Sequence, residues 1–432
     1  MKTIHKISLI AAAAALCAGN AFAVDVEVAD ATVQLHDKVH PISPAPEVVP
    51  TDAAGQFHGY FRAGAGSTSD NKKQACFGIG NVKYRLGNEC DIYGEFQYTK
   101  ELARSSNGVS FVGTVMANAW NPASDFGDAK LGVAQMFYEV KNLDFMKGGT
   151  AWMGKRYYNR PDIHMQDFKY VQMDGVGAGF DKVSAGPGKF SYALFRDVIG
   201  TDAASRNNFI FSDLAVNAGG TLRFDATVIR ANARDDLALP RNNNGWSLSA
   251  AHSQSMAFGI DKLDNTVALQ YGVGPGIKIG GTGDLSLGAD VTRARLLDVL
   301  IWQATQNFSA SASLVIHRDK SNAGSSTWTS VGTRPVYALT DNVKLQLDLG
   351  HDEIRSDNGG ATQKLTKITF APTLAVSRDF WSRPELRAFI TYARWNDAAQ
   401  AAATPGTTLS PTGSFGANTS GTTIGFQVET WF

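Results

Sequence analysis

Residues 154–170, GKRYYNRPDIHMQDFKY, hold the densest group of chemically capable side chains in the chain: Lys155, Arg156, Arg160, Asp162, His164, Asp167 and Lys169, set among aromatic rings. His164 with Asp162 and Asp167 has the ligand types of a metal site, but the spacing matches no known site and no metal is expected. Pro161 and the poor period-two register place the second half of the stretch in a loop. That loop is either a solvated external one or a constriction folded into a channel. Elsewhere the chain has no His-Glu-x-x-His, no Walker loop and no Gly-x-Ser-x-Gly, so catalytic residues and a cofactor are not expected. GVGAG at 175–179 reads as a turn rather than a phosphate cradle.

Such side chains need a scaffold, and residues 83–96, KYRLGNECDIYGEF, indicate which kind. Lys83, Arg85, Glu89, Asp91, Tyr93 and Glu95 take the odd positions, while Tyr84, Leu86, Cys90, Ile92 and Phe96 take the even ones. A strand sends these two sets to opposite faces, one charged and one mostly apolar. The same period recurs in VKLQLDLG, where Val343, Leu345, Leu347 and Leu349 alternate with Lys344, Gln346 and Asp348. It recurs again at 222–229, at 365–373 and in the terminal TIGFQVETWF. Half-buried strands of a soluble sandwich alternate too, so the surrounding features must decide.

Those features point to a membrane. MKTIHKISLIAAAAALCAGNAFA has two lysines, a short apolar run and Ala21-Phe22-Ala23, the pattern of a secretory signal over residues 1–23. The run is too short for a spanning helix, which needs roughly 20 residues. Residues 24–54 are acidic, lack aromatic residues and carry spaced prolines, which reads as a short N-terminal segment followed by an extended Pro-rich linker. From residue 55 to 432, alternating segments are separated by loops rich in Gly, Asn, Ser and Asp, with no intervening helical pattern. Together these predict an all-β, antiparallel transmembrane barrel of the bacterial outer membrane, of roughly 16 to 18 strands for this length.

Lys+Arg and Asp+Glu each number 40, with no long basic cluster, so nucleic acid is not an expected partner. With Cys17 in the signal, Cys76 and Cys90 remain in an oxidising compartment. A disulfide closing a local loop is favoured over two free thiols or a metal pair.

From Phe57 onward the chain resembles the maltoporin (LamB-type) carbohydrate porins, through FHGYFRAG, KYRLGNEC, WMGKRYYNRPDIHMQDF, GGTLRFD, VGTRPVY, FWSRP and ETWF. The resemblance implies a homotrimer of barrels of about 18 strands, each pore narrowed by an inward-folded loop and passing oligosaccharides down their gradient. It places an aromatic slide at Tyr60, Tyr93, Phe126, Trp381 and Trp431, with Phe126 on a loop reaching a neighbouring subunit. Its polar track and constriction would comprise Arg62, Arg85, Glu95, Arg160, Asp162, His164, Asp167 and Lys169. Aromatic faces suit the apolar face of a pyranose, and charged groups suit its hydroxyl rim. Three positions depart from the family: Leu248 for a slide phenylalanine, Ala134 for a track arginine and Lys169 for a constriction tyrosine. These departures weaken the case for long maltodextrins and leave open a porin for sucrose, β-glucosides or anionic sugars. A plugged structural barrel and an outer-membrane hydrolase are the readings from other classes.

Overall fold

The computed structural model describes residues 48–49, 54–80, 82–199, 202–231 and 243–432. The expected signal peptide and most of the 24–54 segment lie outside the described residues. Within that segment Val48–Val49 pair with Ser105 and Arg104, so part of the expected linker continues the sheet.

Eighteen antiparallel strands close into one barrel. They are β1 (Gln56–Thr68), β2 (Ile92–Ser105), β3 (Ser110–Asn121), β4 (Lys130–Lys141), β5 (Thr150–Tyr157), β6 (Asp174–Ala185), β7 (Gly188–Ile199), β8 (Asp202–Asn217) and β9 (Gly220–Ala231). The second half comprises β10 (Gly245–Gln254), β11 (Leu263–Val273), β12 (Thr292–Gln303), β13 (Phe308–Ser321), β14 (Gly324–Ala338), β15 (Val343–Ser356), β16 (Gln363–Ala375), β17 (Glu385–Trp395) and β18 (Ser420–Trp431). Each strand pairs with its successor in sequence, and β18 pairs with β1, so the closed sheet leaves none of the eighteen as an edge. That closure satisfies the backbone in hydrocarbon.

The strands are inside out relative to a soluble protein. Along β17, Glu385, Arg387 and Thr391 are buried in the interior while Leu386, Ile390 and Tyr392 are exposed. Along β15, Lys344, Gln346 and Asp348 are buried and the intervening leucines face outward. The polar face of each alternating segment therefore meets the lumen, and the apolar face meets lipid. GVGAG at 175–179 corrects its sequence reading: it lies inside β6 and is not a turn. Strand backbones run close there, since a Cβ on Gly177 or Gly179 would sit 2.1 Å from a carbonyl oxygen of β7.

Two long loops pack against side chains of the barrel strands. The first, residues 69–91, is closed by the Cys76–Cys90 disulfide, with Cα atoms 6.0 Å apart. Strand structure begins only at Ile92, because the backbone adopts positive φ at Tyr84 and Gly87. The alternation over 83–91 is thus carried by a loop, and the Tyr84 and Leu86 side chains are buried inside the barrel. The second loop, residues 158–173, contains a small hairpin, Asp162–Ile163 with Phe168–Lys169, turned by His164–Gln166.

The two loops bind one another and the wall. Arg85 N donates to Met165 O at 3.0 Å, and the Gln166 amide donates to the Tyr84 hydroxyl at 3.0 Å. Tyr84 Oη and Ser330 Oγ of β14 share a hydrogen bond of 2.8 Å, and the Lys367 ammonium of β16 donates to the carbonyls of Lys83 and Tyr84. Tyr84, Ile163, Met165 and Phe168 join wall residues Leu297, Val315 and Trp328 in one apolar cluster. The Tyr84 ring reaches the wall because the register pair Gly332 and Gly350 leaves room: added Cβ atoms would lie 2.1 and 2.3 Å from ring carbons.

Candidate functional site

The loops leave the wall formed by β2, β1 and β18 lined with rings. Register places Tyr60 beside Trp431 on one side and Glu95 on the other, and Arg62 beside Tyr93 and Glu429. Tyr93 and Tyr60 rings lie 6.4 Å apart by centroid. Trp431 and Trp381, the latter in the 376–384 connection, lie 6.2 Å apart. His164, at the turn of the 162–169 hairpin, meets both tryptophans edge to face at 5.2 and 5.7 Å. Tyr93, Tyr60, Trp431 and Trp381 thus follow one another along a wall of the lumen.

An ionic network runs alongside them. Arg62 pairs with Glu89 at 2.9 Å and Asp91 at 2.8 Å, with its guanidinium 5.3 Å from the Tyr93 centroid. Arg85 pairs with Glu89 at 2.8 Å and Glu429 at 3.0 Å, and donates to the Tyr60 hydroxyl at 2.5 Å. Tyr60 in turn donates to Glu429 at 3.2 Å. Glu429 also receives Arg383 at 3.2 Å and Arg387 at 2.7 Å, and Arg383 stacks 4.2 Å from the Trp431 centroid. Glu95 accepts the Tyr93 hydroxyl. These contacts fix the orientation of both tyrosines and of Trp431.

The hairpin groups are tuned by their surroundings. Withdrawal from bulk water lowers the pKa of His164 well below its ordinary value, and Arg85 reinforces the shift. Geometry agrees: Nδ1 lies 3.3 Å from an Arg85 nitrogen and Nε2 3.4 Å from an Arg383 nitrogen. A second proton on that ring would face a guanidinium. Desolvation alone would raise Asp167, but Arg85 and Lys83 outweigh it and hold the carboxylate ionised, 3.0 Å from the Lys83 ammonium. Asp162 stands opposite Lys169 in the hairpin register. Partial desolvation, with Arg160 nearby, lowers Lys169, and Asp167, Asp174 and Asp162 only partly offset this. Arg160 pairs with Asp174 at 3.3 Å and stacks on Tyr157 at 3.7 Å. Asp162, His164 and Asp167 do not converge as ligands: Asp167 faces Lys83, and both His164 nitrogens face guanidinium groups.

Some positions lie elsewhere. Phe126, on the 122–129 loop, is fully exposed and joins none of the other rings. Leu248 is half exposed on the outer face of β10, whose interior positions are Ser247 and Ser249. No aromatic ring of that strand faces the lumen. Ala134 sits at a bulge in β4, where Gln135 forms hydrogen bonds to Gln97 and the Tyr157 amide. Glu429, Arg383 and Arg387 join the network although the sequence reading does not name them as its members, whereas Glu89 and Asp91 lie on the charged face read from residues 83–96. The even spacing of Gln427 and Glu429 with Trp431 on β18 was the available signal for Glu429.

The model of the LamB porin family matches residues 56–432. The chain belongs to the LamB porin family. This LamB porin is a multi-pass β-barrel of the outer membrane, a channel fold with short turns at one end and long loops at the other. Among solved structures it is similar to OpdQ of Pseudomonas aeruginosa, with a TM-score of 0.50 and 8% identity over 88% of this chain and 99% of that one. It is also similar to an anion-selective porin from Comamonas acidovorans, with a TM-score of 0.47 and 11% identity over 89% and 100% of the two chains. At such identities the likeness is one of fold.

Proposed function

We propose that this LamB porin mediates passive diffusion of oligosaccharides of the maltose or maltodextrin type. The succession Tyr93, Tyr60, Trp431 and Trp381 along a charged wall carries the reading. Each ring offers a stacking surface of order 1 kcal/mol to the apolar face of a pyranose. Glu95, half-buried, stands where hydroxyl groups would reach it, while the buried Arg62, Arg85 and Arg383 hold the rings and carboxylates in place. The 158–173 loop is the constriction, with Asp162, His164, Asp167, Arg160 and Lys169 at its rim. The functional unit is a homotrimer in which Phe126 reaches a neighbouring pore; its full exposure on an outer loop supports that role. Sugar titration in planar bilayers tests the reading. Maltose and maltotriose should block ion current in a concentration-dependent way, whereas a plugged structural barrel would show neither block nor sugar-dependent liposome swelling.

Lys169 favours a second reading within the family, a pore suited to anionic sugars. Among the described residues it forms no ion pair within 4.0 Å, and its side chain is exposed. Lys169→Tyr should move the reversal potential toward cation selectivity and strengthen block by maltotriose. Unchanged values for both would place Lys169 outside the conduction path.

A further inference from the structure

The 162–169 hairpin meets the rings through His164, and on its other side it borders a cavity of about 330 Å³, within the range of small-ligand sites. Lys169 and Tyr170 of the hairpin, Lys278 of the 274–291 loop, and Arg293 and Arg295 of β12 line it, with Asp167 as the one lining carboxylate. Asp167 is engaged by Lys83 at 3.0 Å. Arg293 is neutralised by Asp319, which accepts both Nε and Nη2 at 2.7 and 2.8 Å.

Arg295 differs. It is 7% exposed, and its hydrogen-bond partners among the described residues are neutral: one nitrogen donates to Tyr170 O at 3.1 Å and to Gln270 Oε1 at 2.9 Å, while the plane stacks on Phe168. Its Nε is buried without any partner. Holding the hairpin through Tyr170 O requires a donor, not a charge. A buried guanidinium compensated only by dipoles is costly unless an anion completes it. Lys169 and Lys278 likewise have no carboxylate within 4.0 Å among the described residues, so three cations border this cavity and its one lining carboxylate, Asp167, is already engaged by Lys83.

We propose that this cavity is an anion site at the constriction, and that it takes the phosphate or carboxylate group of a sugar. The inference rests on the sugar-porin reading for its substrate class, but not for the anion site itself. A tetrahedral or planar oxyanion would accept from Arg295 and from both ammonium groups. A neutral disaccharide offers no equivalent.

The test uses the full-length protein in planar bilayers, titrated with glucose 6-phosphate, glucose, inorganic phosphate and maltose. Charge-assisted hydrogen bonds predict half-block by glucose 6-phosphate at roughly tenfold lower concentration than by glucose. Lys278→Gln should remove most of that preference and leave block by maltose unchanged. Arg295→Gln, which keeps a donor for Tyr170 O, should remove it as well. Equal block by glucose and glucose 6-phosphate in the wild type would overturn the anion site, while block by maltose would leave the sugar reading standing. Phosphate block without maltose block would do the reverse. If inorganic phosphate blocked as tightly as glucose 6-phosphate, the sugar-linked assignment would be overturned in favour of a free anion.

Discussion

The wall that carries the rings and the wall that carries the cavity are both rich in buried charge, and they treat it in opposite ways. Beside the rings, Glu429 alone receives three guanidinium groups, and Glu89 receives Arg62, Lys83 and Arg85. Beside the cavity, among the described residues, Arg295 has neutral hydrogen-bond partners and Lys169 and Lys278 have no carboxylate within 4.0 Å. A mutually satisfied network holds side chains in place, since breaking one buried pair strands its partner. Unsatisfied charges cost the fold and favour binding a ligand of opposite sign. The first wall is built to orient rings, and the second to attract charge.

The largest expected effect comes from breaking the paired wall at its hub. Glu429→Ala removes the shared acceptor of Arg85, Arg383 and Arg387 and should cost about 3 kcal/mol or more. Thermal denaturation in detergent, followed by circular dichroism, should show a clearly lowered midpoint; a midpoint within a degree of wild type would mean that water or rearranged partners replace the carboxylate. Next in size, Gly350→Val drives a side chain into the Tyr84 ring, an overpacking cost of about 1 to 3 kcal/mol. The two loops should loosen and single-channel conductance rise. Conductance at the wild-type level would show that Tyr84 is not what ties the loops to the wall.

Smaller effects sharpen the role of the rings. Trp431→Ala and Tyr93→Ala should each weaken sugar block by about 1 kcal/mol, roughly fivefold, with ion conductance and assembly little changed. Failure to assemble, with normal sugar affinity in the protein that does, would assign the two rings to the barrel wall. The smallest effect is the pH dependence of His164. Its folded pKa is depressed, so the unfolded chain binds more protons below about pH 6.5, and stability falls as pH drops through that value toward the folded one. His164→Asn should remove that part of the slope between pH 8 and 5. Superimposable melting profiles for the two proteins would show that the ring carries no such linkage.

Much of this was legible before any coordinate. The terminal TIGFQVETWF assigns Gln427, Glu429 and Trp431 to one face and Ile424, Phe426 and Val428 to the other, and β18 keeps that division. The Cys76–Cys90 bridge followed from compartment and count. Residues 83–91 alternate like a strand, but the Cys76–Cys90 bridge pointed to a loop, and a disulfide-closed loop with positive φ at Tyr84 and Gly87 carries them. Leu248 lies on the outer face of its strand, a placement that a match in sequence order does not specify, since a shift of one residue reverses the face.

What the sequence determined by itself is therefore local and periodic: which residues share a face, that the polar face is continuous enough to line water, and that loops separate the strands. Side chains two apart on a strand are bound to the same side whatever the rest of the chain does. Only the tertiary structure decided which charges meet. Glu429 finds Arg85 across 344 positions of chain, Tyr84 finds Ser330 across 246, and Arg295 is left with the Tyr170 carbonyl across 125. Such contacts depend on where the two loops stop against the wall, and that is set by glycine gaps and buried rings from strands far apart in sequence.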